Sequence, residues 1–511
     1  MLSPKTNGSV GMRLWQRQLE HYPPAGARRY QLGLVVLITV ALYYALYVGG
    51  GVTPLVMREM HISFGYLVGF LAIANALGAF ASLLAGLSDR FGRANLVIWG
   101  LLLVSVLTAF GVPAVHTRGA YAALGIVVGF VEGIILVATP ALIRDFSPQV
   151  GRATAMGFWT VGPVLGSLLV SAVNSATLPI WPEWRGQFVI CGGFGLAVWV
   201  VALFTLRELK PALRDQVMVS ERDLVLNERR AAASQGLGAS IPSRQRNPWL
   251  QVLRADVIGS ALGVSLLLLV YYTTVAFGVI YLVTVYDFTP ARANGLLNWS
   301  WGANAVALVV AGIWSDALLV RKPFMLAGGV GAALLIWLTM GGGLAVPAHP
   351  SFAVMAVVGS VIAVLMGAAY ATWMASFTEM IEAVNPALTA TGLAIWGWLL
   401  RLVVTAAFLA LPHVVDTVTT LVEAPPALER FRAVQAAHAP LPADLSLQIQ
   451  AIVHAKLATP AQWNAWYAVS ALGAVAFVLL TFTMRGRWSP AAARADRRAH
   501  EAEVEKEALL F

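Results

Sequence analysis

Two ionisable residues stand where charge is costly. Glu132 lies inside the apolar run 120–143, and Arg401 lies inside the run 387–411. About 16–18 Å of helix would separate Glu132 from Tyr121 on one side and from Arg144 on the other. A carboxyl at such depth marks a functional site by default and suits reversible proton binding. The plainer alternative is a permanently protonated, hydrogen-bonded acid. Arg401 is the one Lys or Arg deep within a run. It cannot shed its charge, so it needs an anion: Glu132, or the carboxylate or phosphate of a solute. A structural Glu132–Arg401 ion pair competes with the solute reading. The two readings also combine, because protonating Glu132 would free Arg401 for an anionic group and so couple proton and solute.

Polar and aromatic residues at similar depth are candidates to complete a pocket. Tyr43, Tyr44, Tyr271 and Tyr272 fall mid-run, Tyr370 and Trp373 fall nearer one end of theirs, and Asn75 and Asn304 are amides at the same level. Aromatics at helical spacing serve packing as often as ligand contact. Gly125, Gly129 and Glu132 share a helix face, which must pack closely or line a cavity. Catalytic signatures are missing: there is no HExxH, no paired intramembrane aspartates, no Ser/His arrangement and no phosphate-cradling glycine loop. An enzyme, an ATP-driven pump and a bound cofactor are therefore not expected. Cys191 is the single cysteine and the eight histidines are scattered, so no metal site is expected either.

The elements that must hold these groups are membrane spans. Of 511 residues, 59% are hydrophobic and 12% charged, against about 25% charged in soluble chains. Runs long enough to cross a bilayer fall near 31–57, 63–87, 95–115, 120–143, 153–176 and 186–206. After a polar stretch they resume near 256–284, 291–317, 323–345, 351–377, 387–411 and 462–484. Twelve spans in an all-α membrane protein are expected. The first run is too long for the core of a signal peptide. The net charge of +9 comes without a basic stripe interleaved with aromatics, which argues against nucleic acid. Most of the 34 Lys and Arg fall on one side if both termini are cytoplasmic, and the positive-inside rule selects that topology.

The organisation read from this pattern has five parts. Residues 1–30 form a cytoplasmic N-terminal segment, 31–206 a six-helix bundle, and 207–255 a cytoplasmic linker. Residues 256–484 form a second six-helix bundle, and 485–511 a cytoplasmic tail. Within the linker, apolar residues at helical spacing between charges read as an amphipathic helix on the inner leaflet, and a solvated linker fits equally well. Residues 412–460 form an extracytoplasmic insertion with short helices near Pro426–His438 and Asp444–Leu457. Thr459-Pro460-Ala461-Gln462 offers an N-cap, a first-turn proline and a capping-box glutamine for the last span.

The chain also repeats itself. Ala153–Trp159 resembles Ala390–Trp396, Tyr43-Tyr44 recurs as Tyr271-Tyr272, and Ala74-Asn75-Ala76 recurs as Ala303-Asn304-Ala305. Matches at similar depth in corresponding spans indicate two duplicated halves with a cavity between them. After the second span comes Ala85-Gly86-Leu87-Ser88-Asp89-Arg90-Phe91-Gly92-Arg93, and a degenerate copy, Gly312…Asp316 with Arg321, follows the eighth. These resemble the loop signature of the major facilitator superfamily, with Ala85 in place of its first glycine and Ala94 in place of its second basic residue. The resemblance implies that Asp89, Arg90 and Arg93 form a cytoplasmic latch, and that the chain is a plasma-membrane secondary transporter of a small solute. Gly162-Pro163-Val164-Leu165-Gly166 looks like the fifth-span motif of proton-driven antiporters in that superfamily. The arginine which that group carries in span four is replaced by Gly129. The leading expectation is a monomeric, proton-coupled transporter of a small organic solute, with an organic anion as the candidate class and with lipid and protons as its other partners. A proton-driven multidrug or metabolite efflux antiporter is the runner-up, and a non-transporting receptor on the same scaffold is a distant third.

Overall fold

Hydrocarbon offers the backbone no hydrogen-bond partner, so each apolar run must satisfy its own amides and carbonyls as a helix. The computed structural model describes residues 17–83, 92–147, 158–210, 213, 252–342, 350–382, 389–484, 486–496 and 498–499. Among these, twelve helices are long and apolar enough to cross a membrane. They are α1 (Ala25–Met60), α2 (Phe64–Leu83), α3 (Arg93–Ala114), α4 (Arg118–Phe146), α5 (Gly162–Thr177) and α6 (Trp184–Thr205). The second set comprises α7 (Ala255–Tyr286), α8 (Pro290–Leu318), α9 (Lys322–Thr339), α10 (Phe352–Glu382) and α11 (Thr389–Val414). Two short helices, α12 (Val418–Val422) and α13 (Ala424–Ala436), precede the last span, α14 (Ala443–Thr481). Helix starts carry side-chain caps where the sequence supplies them. Thr117 accepts from the Ala120 N–H and Thr289 from that of Arg292, with Pro290 in the first turn.

Packing repeats after six spans. α1 lies on α5 and α6 as α7 lies on α11 and α14; α2 pairs with α4 as α8 pairs with α10; α3 meets α6 as α9 meets α14. The halves touch along α1–α7, α5–α8 and α2–α11, the three contacts a two-fold pseudo-repeat maps onto one another. An even number of crossings puts the start of α1 and the end of α14 on one side, here the termini end. The insertion carrying α12 and α13 lies at the other, the loop end.

At the loop end the halves are stitched together. Asn294 donates through Nδ2 to the Gly51 carbonyl at 2.8 Å, and Asn298 to Ser175 Oγ at 3.0 Å. A side chain on Gly50 would run into the backbone of Val275 and Ala276, so α1 and α7 touch main chain to main chain. Phe64 packs its ring against Phe277 and Trp463. The insertion adds two bonds of its own. Thr419 Oγ1 accepts the Phe64 N–H at 2.9 Å, one of the free donors at the start of α2, and Arg58 Nε donates to the Val422 carbonyl at 3.3 Å.

The last span departs from the expected start at Thr459. α14 runs unbroken from Ala443 through Pro460. The Thr459 hydroxyl donates to the carbonyl of Ala455, four residues back in the same helix, so it does not cap. Gln462 turns outward to the insertion, accepting from Thr417 Oγ1 at 2.7 Å. The two expected insertion helices therefore become α13 and the outer third of α14.

At the termini end, strand β1 (Gln18–Leu19) pairs in parallel with β2 (Glu208–Leu209), just beyond α6. Arg17 is buried there, donating from Nε to Asn95 Oδ1 at 3.1 Å and from Nη1 to the Leu203 carbonyl at 2.6 Å. The expected amphipathic linker helix lies outside the described residues, as do Asp89 and Arg90.

Candidate functional site

A cavity of about 800 Å³ lies between the halves, well within the range that holds a small organic molecule. Its walls pair residues from both repeats. Tyr43 and Tyr47 of α1 face Tyr271 and Tyr272 of α7; Asn75 of α2 and Asn304 of α8 line it, as do Trp159 and Trp396, Tyr370 and Arg401. It continues past Pro140 and Pro163 to Arg93, Arg144 and Asp145, where the spans end at the termini side. Towards the loop end the stitched seam between the halves lies beyond it.

Arg401 is half-buried and projects from the middle of α11 across the interface onto α2. Among the described residues no carboxylate forms an ion pair with it, and its guanidinium makes no hydrogen bond. A methyl placed on Gly78 would come within 2.5 Å of Arg401 Nη1. The helix beneath is held by Asn75, whose Nδ2 donates to the Arg401 carbonyl at 2.8 Å and to Thr405 Oγ1 at 2.9 Å. Asn304, at the repeat-related place, keeps its bond within its own half, donating to the Ala363 carbonyl at 2.9 Å.

Glu132 occupies a different setting. Its residue is 1% exposed, and neither carboxyl oxygen has a hydrogen-bond partner among the described residues. The structural ion pair with Arg401 does not form: the two interact electrostatically without touching. Nor does Glu132 line the cavity. Its expected face divides, because Gly125 and Gly129 close on Phe70 and Ala74 of α2, and Gly133 closes on Gly78. Those three glycines let α4 and α2 approach closely, while Glu132 points into the first half, within electrostatic reach of Cys191 on α6.

Seven of the sequence-derived pocket residues line the cavity: Tyr43, Asn75, Tyr271, Tyr272, Asn304, Tyr370 and Arg401. Tyr44 and Trp373 do not. Tyr44 is one residue, and so about 100° of helix rotation, away from Tyr43; it is 2% exposed and packs on Phe194. Trp373 is fully buried, lying behind Tyr370 and Trp396 and stacked on Phe377. Tyr47, Trp159 and Trp396 enter the lining without having been singled out. The signal for Tyr47 was its place one helical turn after Tyr43, and for the tryptophans their equivalence in the repeated segment.

The fifth-span glycines serve packing. Side chains on Gly162 and Gly166 would collide with Thr39 and with the backbone at Tyr43 and Tyr44, so α5 lies directly on α1. Pro163, in the first turn of α5, faces the cavity.

The two loop signatures fold into related ion-pair networks. Arg93 pairs with Asp145 at the end of α4 at 2.7 Å. Arg321 pairs with Glu379 near the end of α10 at 2.8 Å and with Asp316 at 2.5 Å. Gly92 has φ +86°, a left-handed conformation that favours glycine. Its bare backbone admits the Glu208 carboxylate, which accepts the Ala94 N–H at 3.2 Å and so caps α3. Gly312 has open space where a side chain would stand, so it needs no glycine for packing. Glu208 was invisible to motif reading, because its partner lies more than a hundred residues away.

Comparison with known proteins fits this geometry. The profile of the Major Facilitator Superfamily matches residues 35–385. The MFS-type transporter oryF of Aspergillus oryzae is 30% identical over 158 residues, covering 29% of this chain and 31% of that protein. The D-galactonate transporter of Escherichia coli O6:H1 is 24% identical over 320 residues, covering 59% of this chain and 70% of that protein. The chain thus spans about a third of the length of the first of these relatives. A bacterial homologue of the human lysosomal transporter Spinster, solved inward-facing and unoccupied, shares the fold with a TM-score of 0.62 at 17% identity, over 92% of this chain and 100% of that one.

Proposed function

Because the chain belongs to the Major Facilitator Superfamily, we propose that it is a secondary transporter carrying a small organic carboxylate by alternating access, coupled to protons. One observation carries the reading: a permanently charged guanidinium, Arg401, faces an organic-sized cavity with no ion-paired carboxylate among the described residues. A half-buried charge left in that condition gains from a partner, and a carboxylate fits the planar fork of its donors. Tyr43, Tyr47, Tyr271, Tyr272, Tyr370 and Asn304 surround it with hydroxyls, an amide and ring faces. That lining suits a hydroxylated or ring-bearing acid, the chemistry of the D-galactonate that a relative carries.

Glu132 is the proton site in this reading. A carboxylate there would be almost fully buried with no hydrogen-bond partner among the described residues, a cost of several kcal/mol, so this conformation suits the protonated acid. Losing the proton would restore an anion within electrostatic reach of Arg401 and compete with the solute for that cation. The two bodies that rock are residues 31–206 and 256–484, joined by the 207–255 linker. With both termini in the cytoplasm of a plasma-membrane protein, a sealed loop end and a cavity extending to Arg93 and Asp145 make this the inward-facing form. Asp89, Arg90, Arg93, Asp316 and Arg321 belong to the latch that re-forms when that side closes.

Uptake into proteoliposomes under an imposed pH gradient tests the proposal. Labelled D-galactonate or D-galacturonate accumulates above its equilibrium level only while the gradient lasts. Gradient-driven movement of tetraphenylphosphonium, unaffected by excess of either acid, would overturn the carboxylate reading and favour the efflux antiporter.

A further inference from the structure

Arg401 reaches its place by a route that depends on one missing side chain. Its guanidinium lies over Gly78 of α2, where a methyl would stand 2.5 Å from Nη1, 3.5 Å from Cζ and 3.3 Å from the Gly129 carbonyl of α4. Three residues earlier on the same face of α2, Asn75 grips the Arg401 carbonyl and Thr405 from below. One helix behind, Gly133 abuts the Gly78 backbone, and Glu132 is its immediate neighbour. Backbone alone therefore separates the cation of the second half from the α4 turn that carries the acid of the first.

We propose that Gly78 is the positioning residue for Arg401: its bare backbone seats the guanidinium deep enough to face both the solute cavity and the Glu132 turn. The inference rests on the carboxylate reading of Arg401 given above. Close helix approach alone does not explain the glycine, because the nearest atom to the added methyl belongs to the movable tip of a side chain. By contrast, a methyl on Gly133 would meet the Gly78 carbonyl oxygen at 2.7 Å and its Cα at 2.9 Å, which is backbone and cannot move aside. Gly78→Ala should consequently fold, with the guanidinium pushed out towards the cavity and away from α4.

The test is a double-mutant cycle on purified protein, using whichever of D-galactonate, D-galacturonate and benzoate stabilises the wild type against heat. Gly78→Ala is expected to weaken binding about tenfold and to displace the pH dependence of binding, with the ligand-free melting temperature little changed. In the Arg401→Gln background the same substitution should change neither quantity, because there is no guanidinium to displace. Loosened helix packing would lower the melting temperature equally in both backgrounds and leave the pH dependence in place. Wild-type affinity and pH dependence in Gly78→Ala, beside a loss in Arg401→Gln, overturn the positioning role and leave the carboxylate reading intact. Undiminished binding by Arg401→Gln, or no stabilisation by any of the three acids, overturns the carboxylate reading and the inference with it. Should Gly78→Ala fail to fold, Gly78→Ala/Arg401→Lys decides, since the lysine lacks the Nη1 that abuts the seat. Recovery of folding supports the inference, and continued failure assigns the clash to the Gly129 carbonyl and overturns it.

Discussion

The two halves share one plan and differ in what they carry. The first holds the acid, Glu132, sealed from the cavity with no hydrogen-bond partner among the described residues. The second holds the cation, Arg401, open to the cavity and laid across the interface onto the first. Repeat-related amides diverge in the same sense: Asn75 reaches across to α11, while Asn304 bonds within its own half. Duplication thus supplies two matching bodies, and a few unmatched side chains set them apart. In the proposed reading a group that exchanges protons and a group that holds a solute need different surroundings, and each half would provide one of them.

Substitutions that erase the asymmetry should cost most. Arg401→Gln is expected to weaken carboxylate binding on the order of 100-fold, the worth of a two-pronged, charge-assisted hydrogen bond, measured by calorimetry or by ligand-induced stabilisation. Unchanged affinity would return Arg401 to a structural role. Glu132→Gln separates the halves by function. Solute exchange with no gradient should stay within about threefold of wild type, while pH-driven accumulation falls at least tenfold. Full accumulation in that variant would remove Glu132 from the coupling. Asn75→Ala against Asn304→Ala is the smallest contrast. Removing Asn75 deletes two hydrogen bonds between the halves, about 0.7 kcal/mol each, and should shift the balance of conformations by roughly tenfold. Removing Asn304 should lower thermal stability with the balance little moved. Spin-label distances between Arg118→Cys and Arg430→Cys would read the shift, since Cys191 is buried. Equal shifts in both would mean that crossing the interface gives Asn75 no special part.

Spans, duplication and the two buried charges were legible in the sequence because bilayer physics writes them in apolar length and in misplaced charge. Rotation about a helix was not. Tyr43 and Tyr44 are neighbours in the chain, yet one faces the cavity and the other the core, and only the packing of α5 against α1 decides which. Trp373 looked like Tyr370 by depth, but its side chain turns behind Tyr370 and Trp396. The start expected at Thr459 failed because a helix can continue through proline when the next turns are braced, here by Gln462 against the insertion. Long-range seats were hidden for the same reason: nothing local distinguishes Gly78, vacant for an arginine more than three hundred residues away, from Gly69, which faces open space.

The insertion at the loop end has a kinetic consequence. α12 follows α11 after a break at residues 415–417, and Thr419 and Arg58 fasten it to the corner between α1 and α2. In the proposed alternating-access cycle, opening the cavity to that side would unhook both bonds, a threshold of about 2 kcal/mol. Both bonds are partly buried and sit at the helix ends, at the last turn of α1 and the first residue of α2. In the proposed cycle the pace would then be set in part by a hook the carried molecule never meets.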